Sequence, residues 1–277
     1  MSDQKIPLAG VIGHPIAHSK SPSLFAHWFR EYGVRGHYVP MDVVDRDLET
    51  VLRTLPRMGF VGCNVTIPNK EQALKIADKV TDRATLIGAV NTITFGEDGR
   101  ILADNTDGYG FIENLRQGAP DWQAGAGPAA VLGAGGAARA IVSALLDAGV
   151  PQVMISNRTR IRAENLKSDF GARVTVVDWV KSGNMLEDAA TVVNTTSLGM
   201  VGKSEFRVPL DGLSPKAVVS DIVYTPLQTK LLETAAEIGC RTVDGLGMLL
   251  HQAVPGFERW FGLRPEVTEK TRAAILR

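Results

Sequence analysis

The 277-residue sequence has no excess of charge of either sign: 30 Lys and Arg stand against 30 Asp and Glu. It therefore lacks the field that a nucleic-acid or membrane-surface binder normally shows. Cysteine is nearly absent. Cys63 and Cys240 lie far apart in apolar stretches, which gives no metal or redox spacing and no disulfide framework. They read as small core residues in a reducing compartment. No stretch approaches a membrane span, and the opening "MSDQKIPLAGVIG" has no apolar signal region or cleavage site,. A cytoplasmic protein without nucleic-acid or membrane partners is the expectation. Repeats of fixed period and low-complexity tracts are missing too.

What is present suits a globular fold with a real core: 44% hydrophobic and 22% charged residues, in a chain long enough for two compact domains,. Strand-like and helix-like stretches alternate. "PLAGVIG", "GHYVPMD", "GFVGCNVT", "GAVNTITF" and "RILADN" read as strands, and "SLFAHWFREYG", "EQALKIADKV" and "DGYGFIENLRQ" as helices,. "GAPDWQAGAGP", residues 118 to 128, is the one composition break and marks a junction near it,. A second series follows, with strands in "AAVLGAG", "PQVMISN", "RVTVVDW", "AATVVNTT" and "KAVVSDIVY". Two last helices, "LGMLLHQAVPGFERWF" and "EVTEKTRAAILR", end the chain. The expected fold is α/β: an N-terminal domain with a mostly parallel open sheet and a Rossmann-like dinucleotide-binding domain, with a cleft between them. The first domain is set at 1–112, completed by helices 248–277, and the second at 113–247. Oligomeric state stays open, a homodimer included.

"VLGAGGAARA" places Gly133-x-Gly135-x-x-Ala138 between a strand and a helix. Glycines there let the backbone turn tightly and approach a pyrophosphate, which rests on the helix N-terminus. Ala134, Gly136 and Ala137 belong to the same turn. The next strand ends in Asn157 and Arg158, where an NAD binder usually carries an acid for the ribose 2′-hydroxyl. Arg158 would clamp a 2′-phosphate instead, with the Thr159 hydroxyl donating and Arg162 supporting. Two solvated arginines at a helix start are the plainer alternative, but positive charge there opposes the helix dipole. NADP(H) is the expected cofactor. Thr195, Thr196 and Ser197 follow a strand and either line the nicotinamide side or serve turn hydrogen bonding.

The first domain concentrates small polar groups at strand ends. Ser19 and Ser21 in "GHPIAHSKSP" sit two residues apart, so an extended segment turns both hydroxyls to one face, enough for one carboxylate,. Ser21 followed by Pro22 also reads as a helix N-cap. His14 and His18 fail as a metal pair, since Pro15 denies them a helical face and no third ligand is near; no metal is expected. "NVTIPNK" supplies Thr66 and Lys70, "GAVNT" supplies Asn91, and "DNTDGYG" supplies Asp107. Lys70 follows a strand stopped by Pro68, with no acid but its neighbour Glu71 nearby in sequence. Its stretch, Asn91's and Asp107's all read as following strands, where ligands bind in open α/β sheets. Asp107 is then the expected partner of Lys70. Trp28, Trp179 and Trp260 read as core or interface. The last long helix carries Gln252 back toward the substrate side.

Those pieces, with "NRTRIRA", "NTTSLGM", "DIVYTP" and "DGLGMLLHQA", occur in one order over nearly the whole chain, and the sequence resembles the shikimate dehydrogenase family. The resemblance implies an NADP-dependent oxidoreductase of aromatic amino-acid biosynthesis that reduces 3-dehydroshikimate to shikimate. It implies Lys70 and Asp107 as the catalytic pair, and Ser19, Ser21 and Tyr224 as carboxylate contacts. Thr66, Asn91 and Gln252 fall near the ring hydroxyls. Gly247 and Met248 fall beside the nicotinamide, with Ile222 and Gly245 from the same two motifs on the cofactor side. One departure is visible: many members carry His-Asn where this chain has Phe25 and Ala26, so altered packing is expected there. An NAD-preferring quinate/shikimate dehydrogenase and a catalytically silent ligand-binding homologue are the alternatives. Arg158 speaks against the first, and Lys70 with Asp107 against the second.

Overall fold

The computed structural model describes residues 5–276. The chain divides into two compact units. One comprises the residues up to Thr106 and those from Gln252 onward; the other is Asp107–His251. In the first unit β1 (Leu8–Gly13), β2 (His37–Asp42), β3 (Gly62–Val65), β4 (Lys79–Val80), β5 (Thr92–Phe95) and β6 (Ile101–Asp104) form a sheet in the order β2-β1-β3-β5-β6-β4. Helices α1 (Ser21–Tyr32), α2 (Leu48–Thr54) and α3 (Lys70–Ile76) make the crossovers, and α4 (Asp82–Ile87) links β4 to β5. The β1–β2, β1–β3 and β4–β6 pairs are parallel, but β5 runs antiparallel to both β3 and β6. The reason is local. Only "GEDGR" separates β5 from β6, and Gly96 N–H closes that turn on the Arg100 carbonyl at 2.9 Å. So short a connection permits a hairpin and no crossover. Ile12, Leu48, Leu52, Val65 and Ile93 fill the core against this sheet.

The second unit opens with α5 (Asp107–Gly118). It continues through β7 (Ala129–Leu132), α6 (Gly136–Asp147), β8 (Val153–Ser156), α7 (Arg160–Phe170), β9 (Val174–Val177), β10 (Thr191–Asn194), β11 (Val218–Asp221), α8 (Lys230–Ile238), β12 (Arg241–Val243) and α9 (Leu246–His251). Its sheet runs β12-β11-β10-β7-β8-β9 with every pair parallel. The winding reverses between β7 and β10, the place where doubly wound sheets take their ligands. Every residue of β7 and β10 is buried, as strands covered on both faces must be.

After α9 the chain returns to the first unit with α10 (Val254–Phe261) and α11 (Glu269–Leu276). The Trp260 indole N–H donates to the Ile93 carbonyl at 3.0 Å, and Phe257, Trp260 and Phe261 join Phe25 and Tyr38 in one aromatic cluster. The division falls after Thr106 and His251 rather than at 112/113 and 247/248, because α5 packs along α6 and α9 as one body. Other local readings also change. The single helix expected over "LGMLLHQAVPGFERWF" is two, since Pro255 sits in the first turn of α10, where its missing N–H is not needed,. The "EQALKIADKV" helix ends at Ile76, and Lys79–Val80 pairs with β6 instead. Helices α2, α4 and α8 and strand β12 lie in stretches that the sequence reading left unassigned.

Candidate active site

One edge of the first unit's sheet collects the polar groups. Register aligns the ends of β1 and β3, Ile12 opposite Val65. It sets the start of β5 between the ends of β3 and β6, with Thr92 opposite both Asn64 and Asp104. Asn91 therefore precedes its strand rather than following one. It reaches the carboxyl-end edge only because β5 is antiparallel. Ser19 stands in the turn after β1 and Ser21 at the head of α1; Thr66 stands in the turn after β3 and Lys70 at the head of α3. The Ser19 Oγ accepts the Ser21 N–H at 3.3 Å, and Ser19's own N–H donates to the Ile16 carbonyl at 3.0 Å. Helix α1 starts at Ser21 itself with Lys20 before it, so the Ser21 hydroxyl is not spent as an N-cap. Lys70 is half-buried and opens α3, one residue before the start expected at Glu71. The turn beneath it is held by fully buried Asn69, whose amide donates to the Val43 carbonyl at 2.8 Å. His14 pairs with Asp42 at 2.7 Å.

A buried hydrogen-bonded chain backs this edge. Asn91 Oδ1 accepts from the Thr106 N–H at 2.9 Å and from the Thr92 hydroxyl at 2.9 Å. That leaves the Asn91 amide nitrogen to donate to Gln252 Oε1 at 3.2 Å, while the Thr106 hydroxyl donates to the Gln252 carbonyl at 2.8 Å. Asn91 and Gln252, 161 positions apart in sequence, are thus brought together. Below them lies Asp104, 3% exposed, taking bonds from Thr81 Oγ1 (2.8 Å), Arg83 Nε (2.7 Å) and Arg259 Nη2 (2.6 Å). Burial pushes its carboxyl up, but the two guanidinium groups and the hydroxyl outweigh that and hold it at about 2,.

In the second unit Gly133 follows β7 with φ of 108°, and an added Cβ would stand 2.6 Å from Thr195 Oγ1. Glycine is required there on both counts. Thr195 in turn donates to the Leu132 carbonyl at 2.8 Å, so the turns after β7 and β10 are tied at the point where the winding reverses. Helix α6 begins at Gly136 with no side-chain cap, and space is open where Gly135 or Gly136 would carry a Cβ. Free N–H groups beside open space suit a pyrophosphate. Asn157 closes the turn, accepting from the Ala134 N–H at 3.2 Å and donating to the Thr159 carbonyl at 2.8 Å. Arg158, Thr159 and Arg162 are exposed. Arg160 is neutralised by Asp178 and Glu164, whereas Arg158 and Arg162 have no ion-pair partner among the described residues. Arg158 lines a cavity of about 650 Å³ with Asn157, Trp179, Ser197 and Lys203.

The far side of that sheet is organised by Asp221 at the end of β11. Its carboxylate accepts from Asn194 Nδ2 (2.9 Å), the Val223 N–H (3.0 Å) and Thr229 Oγ1 (2.7 Å). Burial pushes it up to about 6, these neutral donors only partly opposing. The turn they hold carries Ile222 and half-buried Tyr224, whose hydroxyl burial also pushes up. Gly245 abuts that turn so closely that a Cβ would sit 2.3 Å from the Ile222 carbonyl. Gly247 is buried and Met248 half-buried in α9, and Asp107, buried, opens α5.

Family models match the chain in three places. The shikimate dehydrogenase substrate-binding domain covers 11–93, shikimate/quinate 5-dehydrogenase 123–205, and the shikimate 5′-dehydrogenase C-terminal domain 245–276. A curated relative from Cereibacter sphaeroides, strain ATCC 17025, named shikimate dehydrogenase (NADP(+)), is 69% identical over 98% of both chains. The chain belongs to the shikimate dehydrogenase family.

Among solved structures of that family, the Thermus thermophilus shikimate 5-dehydrogenase in complex with NADP(H) and shikimate is 37% identical. It covers 97% of this chain and 98% of its own, with a TM-score of 0.86. A Corynebacterium glutamicum quinate dehydrogenase in complex with NAD is 32% identical over 98% and 99%, with a TM-score of 0.90. Sequence reasoning passed over Tyr38, Asn64, Thr92 and Thr106, the residues that support Asn91 in this family member. A signal existed for Asn64. It is a polar residue in a strand read as fully buried, and a buried amide demands partners.

Proposed function

We propose that the protein is the NADPH-dependent shikimate dehydrogenase of aromatic biosynthesis, reducing 3-dehydroshikimate to shikimate in the cytoplasm. The observation that carries this is the 69% identity, end to end, to a relative named for that activity and cofactor. Arg158 without an acid at the end of β8 supports the cofactor choice, and the Gly133–Ala137 turn fits the pyrophosphate by its open space and uncapped helix. When bound, NADPH supplies the hydride that reduces the 3-keto carbon.

The chain's own residues handle the oxygen and the orientation. As hydride arrives, negative charge grows on the ketone oxygen, and the Lys70 ammonium stabilises it and transfers its proton. In the reverse direction neutral Lys70 takes that proton back. Asp107 orients Lys70. Ser19, Ser21 and Tyr224 hold the substrate carboxylate, and Thr66, Asn91 and Gln252 the ring hydroxyls. Thr195, Ile222, Gly245, Gly247 and Met248 line the nicotinamide side, and Asn157, Arg158, Thr159 and Arg162 the adenosine phosphate.

Initial rates with shikimate and with quinate, each with NADP⁺ and NAD⁺, test the reading. Fast turnover with shikimate and NADP⁺ alone is expected. Comparable rates with quinate or NAD⁺ would move the protein to the broader quinate/shikimate enzymes. No rate in any combination from folded protein would leave a silent binding homologue.

A further inference from the structure

Tyr38 lies on β2, two strands from Asn64, and its hydroxyl donates to Asn64 Oδ1 at 2.7 Å. The ring has little freedom. It is 8% exposed and stacks on Phe25 at 3.7 Å between centroids and 16° between planes, and Phe25 is itself fully buried. Asn64 is 5% exposed, and its amide nitrogen donates to the Asn91 carbonyl at 3.0 Å and reaches Thr92 Oγ1 at 3.3 Å. A backbone carbonyl can only accept, so the Asn64 nitrogen must face Asn91 and its oxygen must face Tyr38. The Thr92 hydroxyl, accepting from Asn64, is then left to donate to Asn91 Oδ1.

We propose that Tyr38 is a positioning residue for substrate binding: its hydroxyl holds Asn64, which holds Asn91 by both its backbone carbonyl and, through Thr92, its side chain. The inference rests on the reading above, in which Asn91 meets a ring hydroxyl of the substrate. Removing the Tyr38 hydroxyl leaves two outcomes, each harmful. Either the Asn64 oxygen stays buried without a donor, or the amide turns over and releases the Asn91 carbonyl. Phe25 enters the same argument. Its ring is the flat apolar surface that fixes the Tyr38 ring.

The test is a double-mutant cycle of Tyr38→Phe and Asn91→Ala, read as KM for shikimate, KM for NADP⁺ and kcat, with shikimate binding measured by calorimetry alongside. Tyr38→Phe keeps the ring and its stacking. It is expected to raise the shikimate KM about fivefold, the worth of one buried hydrogen bond, with kcat within about twofold and the NADP⁺ KM unchanged. In the Asn91→Ala background the same change is expected to add nothing, since its route to the substrate is gone. A purely structural tyrosine would act equally in both backgrounds, and that result overturns the proposal. An unchanged shikimate KM in Tyr38→Phe beside a damaged Asn91→Ala overturns it alone. An unchanged KM in Asn91→Ala removes Asn91 from the substrate, and overturns the reading of the site together with the proposal.

Discussion

Two buried aspartates, each ending a strand, part company in acidity. Asp104 closes β6 in the first unit, Asp221 closes β11 in the second, and both are almost wholly inaccessible. Each carboxylate collects bonds from side chains and backbone. The difference lies in who donates. Asp104 has Arg83 and Arg259, Asp221 only an amide, a hydroxyl and a backbone N–H. Burial raises both, and full positive charges reverse it to about 2 in one case, while neutral dipoles leave about 6 in the other,. The two sheets differ in parallel. The first is a mixed sheet whose antiparallel β5 brings Asn91 to the working edge, and Arg259 from the returning α10 secures that edge. The second is wholly parallel, and places its turns by winding alone. At the edge assembled from distant segments, charge on Asp104 is added to neutral bonds such as Asn91 to Gln252; at the edge the winding supplies, Asp221 is held by neutral donors alone.

Separate jobs for the two units give the sharpest test. Lys70→Ala is expected to lower kcat about 10²- to 10⁴-fold, the range of general acid–base contributions, with the shikimate KM little altered. Steady-state kinetics at saturating NADP⁺ checks this, and an unchanged kcat beside a raised KM would assign Lys70 to binding. The converse variant lies in the second unit. Arg158→Ala is expected to raise the NADP⁺ KM about 10- to 100-fold, the loss of charge-assisted bonds to phosphate. NAD⁺ and shikimate kinetics should be nearly untouched. Equal losses for both cofactors would mean that Arg158 meets something other than the 2′-phosphate.

The aspartates provide the smaller effects. Asp104 titrates at about 2 in the fold against 3.8 outside it. Its contribution, about 2 kcal/mol, is complete above that outside value and disappears as pH falls from 3.8 through 2. Asp104→Asn should lose about that much at pH 7 in urea unfolding, and should flatten the acid limb of the stability curve. Asp221 has the opposite sign. Raised from 3.8 to about 6, it favours the fold fully below 3.8, and that advantage fades as pH rises through 6. Asp221→Asn, nearly isosteric, should change stability at pH 7 by about 1 kcal/mol or less while removing the decline between pH 4 and 6. Thermal unfolding across that range decides; a slope that survives the substitution belongs to another group.

Much of this was legible in advance, for local reasons. Apolar runs marked β1, β3, β7, β8 and β10, because strands buried in a sheet can be little else. The glycine turn after β7 was readable because only glycine accepts the φ of Gly133 and the nearness of Thr195. The order of motifs identified the family. The helix was expected from Glu71 and in fact starts at Lys70, because the Asn69 side chain does not cap it but reaches the Val43 carbonyl, a partner no local pattern reveals.

What the amino-acid order determined alone, then, is what depends on neighbours: the alternation of elements, the pyrophosphate turn, the missing acid beside Arg158, and the identity of the polar groups. The tertiary structure decided what depends on partners far along the chain. The hairpin that reverses β5 is local, but only the pairing of β5 with β3 set Asn91 at the working edge. Gln252 came to Asn91 across 161 positions, and Arg259 to Asp104 across 155. Tyr38 became part of the site only through Asn64. Hydrogen bonds and ion pairs of this kind are set by register and packing, and a strand's register depends on its turns and on what covers its faces as well as on its own apolar pattern.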